Sequence, residues 1–389
     1  MEPIVICGAG LAGWGVAREL RRLAPEARVT IVTRDGGDFY AKPSLSNALA
    51  AGKTAQALVT TPGQALAREL GVTLLARTEV VRLDRASRRV ATSAGELGYS
   101  KLVLALGADP IRLPLGGNAA REVVSVNDLD AYRSLREALR PGQHVAILGA
   151  GLIGCEFAND LAASGHRVTV LEPGERPLAS LMPAAAGAAL ARALGDAGVR
   201  WRFGDAALDV ERVEDGLCIR TRRGERLAAD LVLSAVGLRP RCALALEAGL
   251  AAPRGIVVDA FGATGDPSIF ALGDCAEYSG RLMPFVQPIM IAARAIARTL
   301  AGSPTPIAFG TMPIVVKTPA CPVALVPAGP PDGGRWHTEA DDDELEMHFI
   351  DGDGRLAGFV LTGKRGTRRQ ALARTIDEAR ARHTAGVSD

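Results

Sequence analysis

Two glycine-spaced turns hold the residues best suited to chemistry. Near the start, Ile4-Val5-Ile6-Cys7 runs into Gly8-Ala9-Gly10-Leu11-Ala12-Gly13, and a later apolar run is Val29-Thr30-Ile31-Val32. At mid-chain, Val145-Ala146-Ile147-Leu148 runs into Gly149-Ala150-Gly151-Leu152-Ile153-Gly154, followed by Val168-Thr169-Val170-Leu171-Glu172. In this pattern the first glycine permits a tight strand-to-helix turn. The second lets a pyrophosphate approach the backbone, and the third lets the helix lie close on the strand. The anion then sits at the positive N-terminus of the helix. Both copies carry a small residue four places after the last glycine, Ala17 and Ala158. A preceding strand and this repeat point to two dinucleotide-binding units rather than to glycine-rich loops that bind nothing.

The copies differ where the second strand ends, the place from which an acid usually accepts the adenosine ribose hydroxyls. The second copy has Glu172, whose carboxylate repels a 2′-phosphate, so that site is expected to take NADH rather than NADPH; Arg176 follows closely and softens that preference if it reaches the same phosphate. The first copy has Thr33 there, with Asp35 two residues on, and either can address the ribose. Two dinucleotide sites in one chain suggest one bound flavin and one exchanging nicotinamide.

Other chemistries are disfavoured. The six cysteines, Cys7, Cys155, Cys218, Cys242, Cys275 and Cys321, include no Cys-x-x-Cys pair, so neither a disulfide framework nor a clustered metal site is expected, and a reducing cytoplasm is. Lys and Arg number 45 against 43 Asp and Glu, a net charge of +2 that argues against a nucleic-acid binder. No apolar run reaches the ~18–20 residues of a membrane span. The stretch 285–300 carries Arg294 and Arg298, and no signal peptide is visible before Ile4.

The elements that position these residues follow from the repeat. Each copy reads as strand, glycine turn, helix and strand. Lys101-Leu102-Val103-Leu104 before Gly107 and Leu231-Val232-Leu233-Ser234 before Gly237 look like the strands that close each unit. Ser268-Ile269-Phe270-Ala271-Leu272-Gly273-Asp274 is a further apolar strand ending in Gly-Asp, and 288–300 reads as a helix with Pro288 in its first turn. At about 150 residues per domain, 389 residues suggest two to three domains. The expected class is α/β, with two Rossmann-like domains, the second inserted in the first, and a small C-terminal α/β domain. The expected boundaries are 1–113 and 242–312 for the FAD domain, 114–241 for the NAD domain and 313–389 for a small cap. Asp351-Gly352-Asp353-Gly354 reads as a hairpin turn in that cap, and the acidic run 341–346 as a loop or strand edge.

Across essentially its whole length the chain resembles the FAD/NAD(P)-dependent pyridine nucleotide–disulfide oxidoreductase superfamily, and within it the bacterial rubredoxin–NAD reductases. The strings that carry this are Tyr40-Ala41-Lys42-Pro43-Ser44-Leu45-Ser46, Val126-Asn127-Asp128-Leu129-Asp130, the run 151–160 with Glu156, Asn159 and Asp160, and Val316-Lys317-Thr318-Pro319-Ala320-Cys321-Pro322. The resemblance implies a flavoprotein oxidoreductase that takes hydride from NADH to a tightly but non-covalently bound FAD. It then passes single electrons to rubredoxin. It also leaves open a 2Fe–2S ferredoxin as acceptor in an oxygenase system, and an FAD/NAD-binding redox sensor. By the same resemblance, FAD contacts come from Gly8, Gly10, Leu11, Ala12, Gly13, Thr33, Arg34, Lys42, Pro43, Val80, Ala105, Gly107, Asp274, Pro288, Ile289 and Lys317. Contacts to NAD come from Gly149, Gly151, Leu152, Ile153, Gly154, Glu156, Glu172 and Gly237. Lys42 and Glu156 are the expected catalytic pair beside the flavin, and the dipole of the 288–300 helix supports negative charge on it. Disulfide reductases need a cysteine pair and peroxidases of this superfamily a single cysteine in the segment occupied here by Lys42–Asn47; no cysteine lies between Cys7 and Cys155. Lys364, Arg365, Arg368 and Arg369 form a basic cluster that either steers an acidic partner or is simply a solvated face.

Overall fold

The computed structural model describes residues 2–328, 333–341 and 344–386. They fall into two compact units, one formed by Met1–Lys42, Gln56–Asp109 and Leu238–Phe309, the other by Pro43–Ala55, Pro110–Gly237 and Gly310–Asp389.

In the first unit the strand Ile4–Cys7 is central to a five-stranded parallel sheet. It pairs with Val29–Val32 on one side and Lys101–Leu104 on the other; Thr73–Leu75 and Ile269–Ala271 complete the edges. These strands are short and almost wholly apolar because both faces are covered, as parallel sheets require. The helix Leu11–Leu23 packs on the helix Val286–Leu300, and a Cβ on Gly15 would lie 3.2 Å from the Ala293 methyl. Small residues at that crossing let the two helices pack closely beneath the sheet's core of Val5, Ile6, Ile31, Leu102 and Phe270.

The second unit repeats this plan. His144–Leu148 is flanked by Arg167–Glu172 and Leu231–Ser234, with Val199–Phe203 beyond, all parallel. Each unit also carries a three-stranded antiparallel sheet at the same stage of its plan: Val80–Asp84, Arg89–Thr92 and Gly95–Gly98 in the first, Ala207–Val213, Gly216–Thr221 and Arg226–Ala229 in the second. The sequence repeat is therefore a repeat of tertiary structure.

The C-terminal part is a five-stranded antiparallel sheet in the order Ile314–Val316, Val323–Val326, Leu356–Thr362, Glu344–Ile350, Arg335–Asp341. Leu372, Ala373 and Ile376 of the helix Arg369–Gly386 cover Phe359 and Leu361 on one face. The Asp351 turn does join two strands: its carboxylate accepts the Asp353 and Arg355 N–H groups, and Gly354 sits at φ +76°. Among the described residues, no helix is long and apolar enough to cross a membrane.

Candidate dinucleotide and redox sites

The first unit builds a phosphate cradle from backbone alone. A Cβ on Gly8 (φ +117°) would lie 2.1 Å from the Ala105 oxygen, and one on Gly13 would lie 1.9 Å from the Gly8 oxygen. Those two glycines are dictated by the protein's own packing. A Cβ on Gly10 would meet nothing within 4 Å, so the protein's own packing does not require a glycine there. The first helical bond runs from Trp14 N–H to the Gly10 oxygen. The N–H groups of Leu11, Ala12 and Gly13 thus form the open N-terminal turn, with no acidic side chain competing there. This donor set fits a dinucleotide pyrophosphate.

Of the other expected flavin residues, Pro43 and Lys317 lie in the second unit and the rest in the first. Ala105 N–H donates to the Cys7 oxygen at 2.9 Å, and Thr78 N–H to the Thr33 oxygen at 2.8 Å, which brings the Val80 strand beside the end of Val29–Val32. Gly273, at φ +78°, would place a Cβ 3.2 Å from the Ala12 methyl and 3.9 Å from Ile289. The Gly273–Cys275 turn, the first helix and the start of the Val286–Leu300 helix therefore converge; the helix starts two residues before Pro288, which lies buried in its first turn. Lys42 Nζ lies 4.0 Å from Asp274 Oδ2. At the strand end, Thr33 Oγ1 and Gly37 N–H both donate to Asp35 Oδ1, at 2.7 and 2.9 Å. Arg34 lies 3.5 Å from Asp109, whose main partner is Arg241 at 2.5 Å. That guanidinium holds the Asp109 carboxyl below the usual carboxylate range. Arg241 N–H also donates to the oxygen of Gly107 (φ +71°).

The second unit repeats the cradle. Cβ atoms on Gly149 and Gly154 would lie 2.9 Å from the Ala235 oxygen and 2.1 Å from the Gly149 oxygen, while Gly151 again faces open space. Leu152 and Ile153 open the helix Leu152–Ala163, and Ile153 is 41% exposed at that mouth. Gly237, at φ +108°, follows the closing strand. Glu172 ends its strand with both oxygens turned to backbone: Oε2 accepts Ala150 N–H at 2.7 Å and Oε1 accepts Gly174 N–H at 2.8 Å. The carboxylate thus braces the glycine turn. Arg176 bends back on its own loop, with Nη2 3.5 Å from the Ala179 oxygen and its stem against Gly187.

Three strings that were far apart in sequence meet on the Leu152–Ala163 helix. Glu156 Oε2 accepts the Ser46 hydroxyl at 2.5 Å and the Asn47 amide at 3.3 Å; its Oε1 accepts Lys317 N–H at 2.9 Å. Lys317 Nζ donates to the Pro43 oxygen at 2.6 Å. Asn159 and Asp160 accept backbone donors from the same two segments. These two were quoted above as part of a resembling string but not as site residues. The signal that would have found them is polar side chains at i+3 and i+4 from Glu156 on a helix otherwise largely apolar. Lys42 belongs to the first unit and Glu156 to the second.

Burial pushes the thiols of Cys7, Cys155 and Cys275 up to about 12, and all six cysteines are free. Two residues of the C-terminal basic cluster pair with a buried acid. Glu346, with a side chain 0% exposed, lies 3.4 Å from Arg365, 2.6 Å from Arg368 and 2.8 Å from His348. Asp341 ends the edge strand and Glu344 opens the next, as a loop or strand edge requires, but Glu346 departs from that expectation: it is buried on an inner strand and paired with two guanidiniums. Residues 342–343 of that run lie outside the described residues.

Comparison with known proteins accords with this geometry. The family described as pyridine nucleotide-disulphide oxidoreductase matches residues 2–298, and one described as rubredoxin binding C-terminal domain matches residues 306–376. A rubredoxin-NAD(+) reductase of Alcanivorax borkumensis is 45% identical over 94% of this chain and 96% of its own length. Among solved structures, a covalent putidaredoxin reductase–putidaredoxin complex superposes with a TM-score of 0.88 at 28% identity, covering 97% of this chain and 93% of that one. A ferredoxin reductase from Rhodopseudomonas palustris gives 0.85 at 28% identity, over 93% and 91%. With two open glycine cradles on a repeated parallel sheet and a family match across residues 2–298, the chain belongs to the pyridine nucleotide-disulphide oxidoreductase family.

Proposed function

We propose that the protein is an NADH:rubredoxin oxidoreductase. The observation that carries this reading is the joining, in one chain, of two separately built dinucleotide cradles to a C-terminal module matching a rubredoxin-binding domain. FAD, when bound, takes a hydride from NADH and releases the electrons one at a time. The Leu11–Gly13 N–H groups bind its pyrophosphate, and Asp274 addresses its ribityl chain. Lys42, 4.0 Å from Asp274, adds positive charge on the flavin side. The first turn of the Val286–Leu300 helix, with no acidic side chain in it, favours negative charge near its N-terminus. In the second unit the Leu152–Gly154 N–H groups bind the NADH pyrophosphate, Glu172 the adenosine ribose, and Glu156 orients the nicotinamide end. Lys317 stands with Glu156 by its backbone bond. The FAD is held tightly and without a covalent bond, so acid denaturation releases it intact into solution. The six free thiols support a reducing, cytoplasmic setting.

The deciding experiment compares NADH-dependent reduction of a rubredoxin and of a 2Fe–2S ferredoxin, anaerobically and at low salt. Rubredoxin is expected to be reduced fast and ferredoxin slowly. The reverse would discard the acceptor and leave the second reading, a ferredoxin reductase, which the 28% identical solved neighbours favour. Lys42→Ala and Glu156→Gln are each expected to slow flavin reduction by NADH about tenfold to a hundredfold; wild-type rates in both would remove the roles given to them.

A further inference from the structure

Glu156, Asn159 and Asp160 lie on one face of the Leu152–Ala163 helix, because residues at i, i+3 and i+4 share a face. Each is only 4% exposed. Their acceptors are directed at two segments. Asp160 Oδ2 accepts Leu49 N–H at 2.8 Å and Oδ1 accepts Ala50 N–H at 3.0 Å. Asn159 Oδ1 accepts Ala320 N–H at 3.0 Å. Glu156 touches both segments, through Ser46 and Asn47 on one side and Lys317 N–H on the other.

Such a face is costly to build. Burial raises the carboxyl of Asp160, opposed by the backbone donors of Ala50, Leu49 and Ala48. An apolar residue would avoid that cost. What the polar residues add is place. The segment they hold begins in the 3-10 helix Lys42–Asn47, a conformation with poor internal bonding that does not fix its own position. The second segment is a turn closed by Cys321 N–H on the Thr318 oxygen, with the fully buried Thr318 hydroxyl on the Cys321 oxygen.

We propose that Asp160 and Asn159 are positioning residues for hydride transfer. Asp160 fixes the Leu49–Ala50 backbone and Asn159 the Ala320 backbone on the helix that leads out of the Gly149–Gly154 phosphate turn. Together they hold the donors of Glu156, and with them Lys317, at fixed places relative to that turn. This rests on the assignment of Glu156 and Lys317 to the redox site made above. A displacement of about 1 Å in a reacting geometry can cost roughly a hundredfold in rate, so loss of these bonds reads out in the chemical step.

The test uses the full chain loaded with FAD. Asp160→Asn keeps the side-chain volume and one carbonyl acceptor but turns an amide NH2 toward a backbone donor. Asn159→Ala removes the bond to Ala320. The rate of anaerobic flavin reduction at saturating NADH is expected to fall about tenfold in each and about a hundredfold in the double variant. The Kd for NADH changes by less than about threefold. Hydrogen exchange, measured without NADH, is expected to quicken at Leu49 and Ala50 in Asp160→Asn and at Ala320 in Asn159→Ala. Quickened exchange with wild-type hydride transfer would show a merely structural role and overturn the proposal. Glu156→Gln and Lys317→Ala separate the two levels of failure. If they slow hydride transfer and the Asp160 and Asn159 variants do not, the positioning role alone is lost; if none of the four slows it, the site assignment falls and the proposal with it. Should Asp160→Asn fail to fold, Asn159→Ala carries the same test.

Discussion

Glu172 serves two ends with one carboxylate. On the role proposed for it, its charge disfavours a 2′-phosphate, and its oxygens brace Ala150 and Gly174 N–H at 2.7 and 2.8 Å. Removing it therefore does two things at once. Glu172→Ala is expected to lower kcat/KM for NADH about tenfold to a hundredfold, or about 1.4–2.8 kcal/mol. The NADPH-to-NADH ratio rises, while the absolute rate with NADPH stays below the wild-type rate with NADH, because the glycine turn has lost its brace. Steady-state kinetics with both nucleotides checks this; a variant as fast with NADPH as the wild type is with NADH would mean that Glu172 is a charge and nothing more. Thr33 and Asp35 illustrate the opposite case. Asp35 Oδ1 is engaged by Thr33 and Gly37, so the strand end is stiffened by its own hydrogen bonds.

The strand Glu344–Ile350 and the 3-10 turn Gly363–Arg368 form one electrostatic element. Glu346 is buried at its strand position, and Arg365 and Arg368 reach it from the turn. A buried carboxylate deprived of its partners costs about 3–5 kcal/mol. The arginines are 22% and 54% exposed, so water offsets part of that. Arg365→Ala with Arg368→Ala is expected to destabilise the chain by about 2–4 kcal/mol in urea denaturation. Glu346→Gln should cost less, since the freed guanidiniums can turn to solvent. Equal losses would mean that the pairs contribute as pairs and the desolvated carboxylate is unimportant. Two of the four charges in the basic cluster, Arg365 and Arg368, pair with Glu346.

Across the whole molecule, duplication lets the two half-reactions be separated. Gly10 and Gly151 each leave the space that a Cβ would enter open, so the fold tolerates a side chain there, and on the proposed reading the pyrophosphate does not. Gly10→Val is expected to yield protein that folds with little or no FAD. Gly151→Val keeps its FAD and its flavin spectrum, yet loses NADH-driven reduction by about a hundredfold or more, while a chemical reductant still supplies electrons to rubredoxin. Loss of FAD in Gly151→Val would show that the second cradle is not an independent nucleotide site.

The amino-acid sequence by itself determined the repeated cradles, the strand ends and the acid at Glu172. Each of these is a local pattern whose reason lies in its own backbone: a glycine turn between an apolar strand and a helix needs no distant residue to be legible. It also carried the Lys42, Glu156 and Lys317 strings, but only as resemblances. Only the tertiary structure decided that Ser46, Glu156 and Lys317 share hydrogen bonds, that Asn159 and Asp160 hold two remote backbones, and that Arg365 and Arg368 face inward to Glu346. Those partners are separated by tens to hundreds of residues, and a side chain's choice of acceptor depends on which backbone donors the fold buries beside it and leaves otherwise unsatisfied.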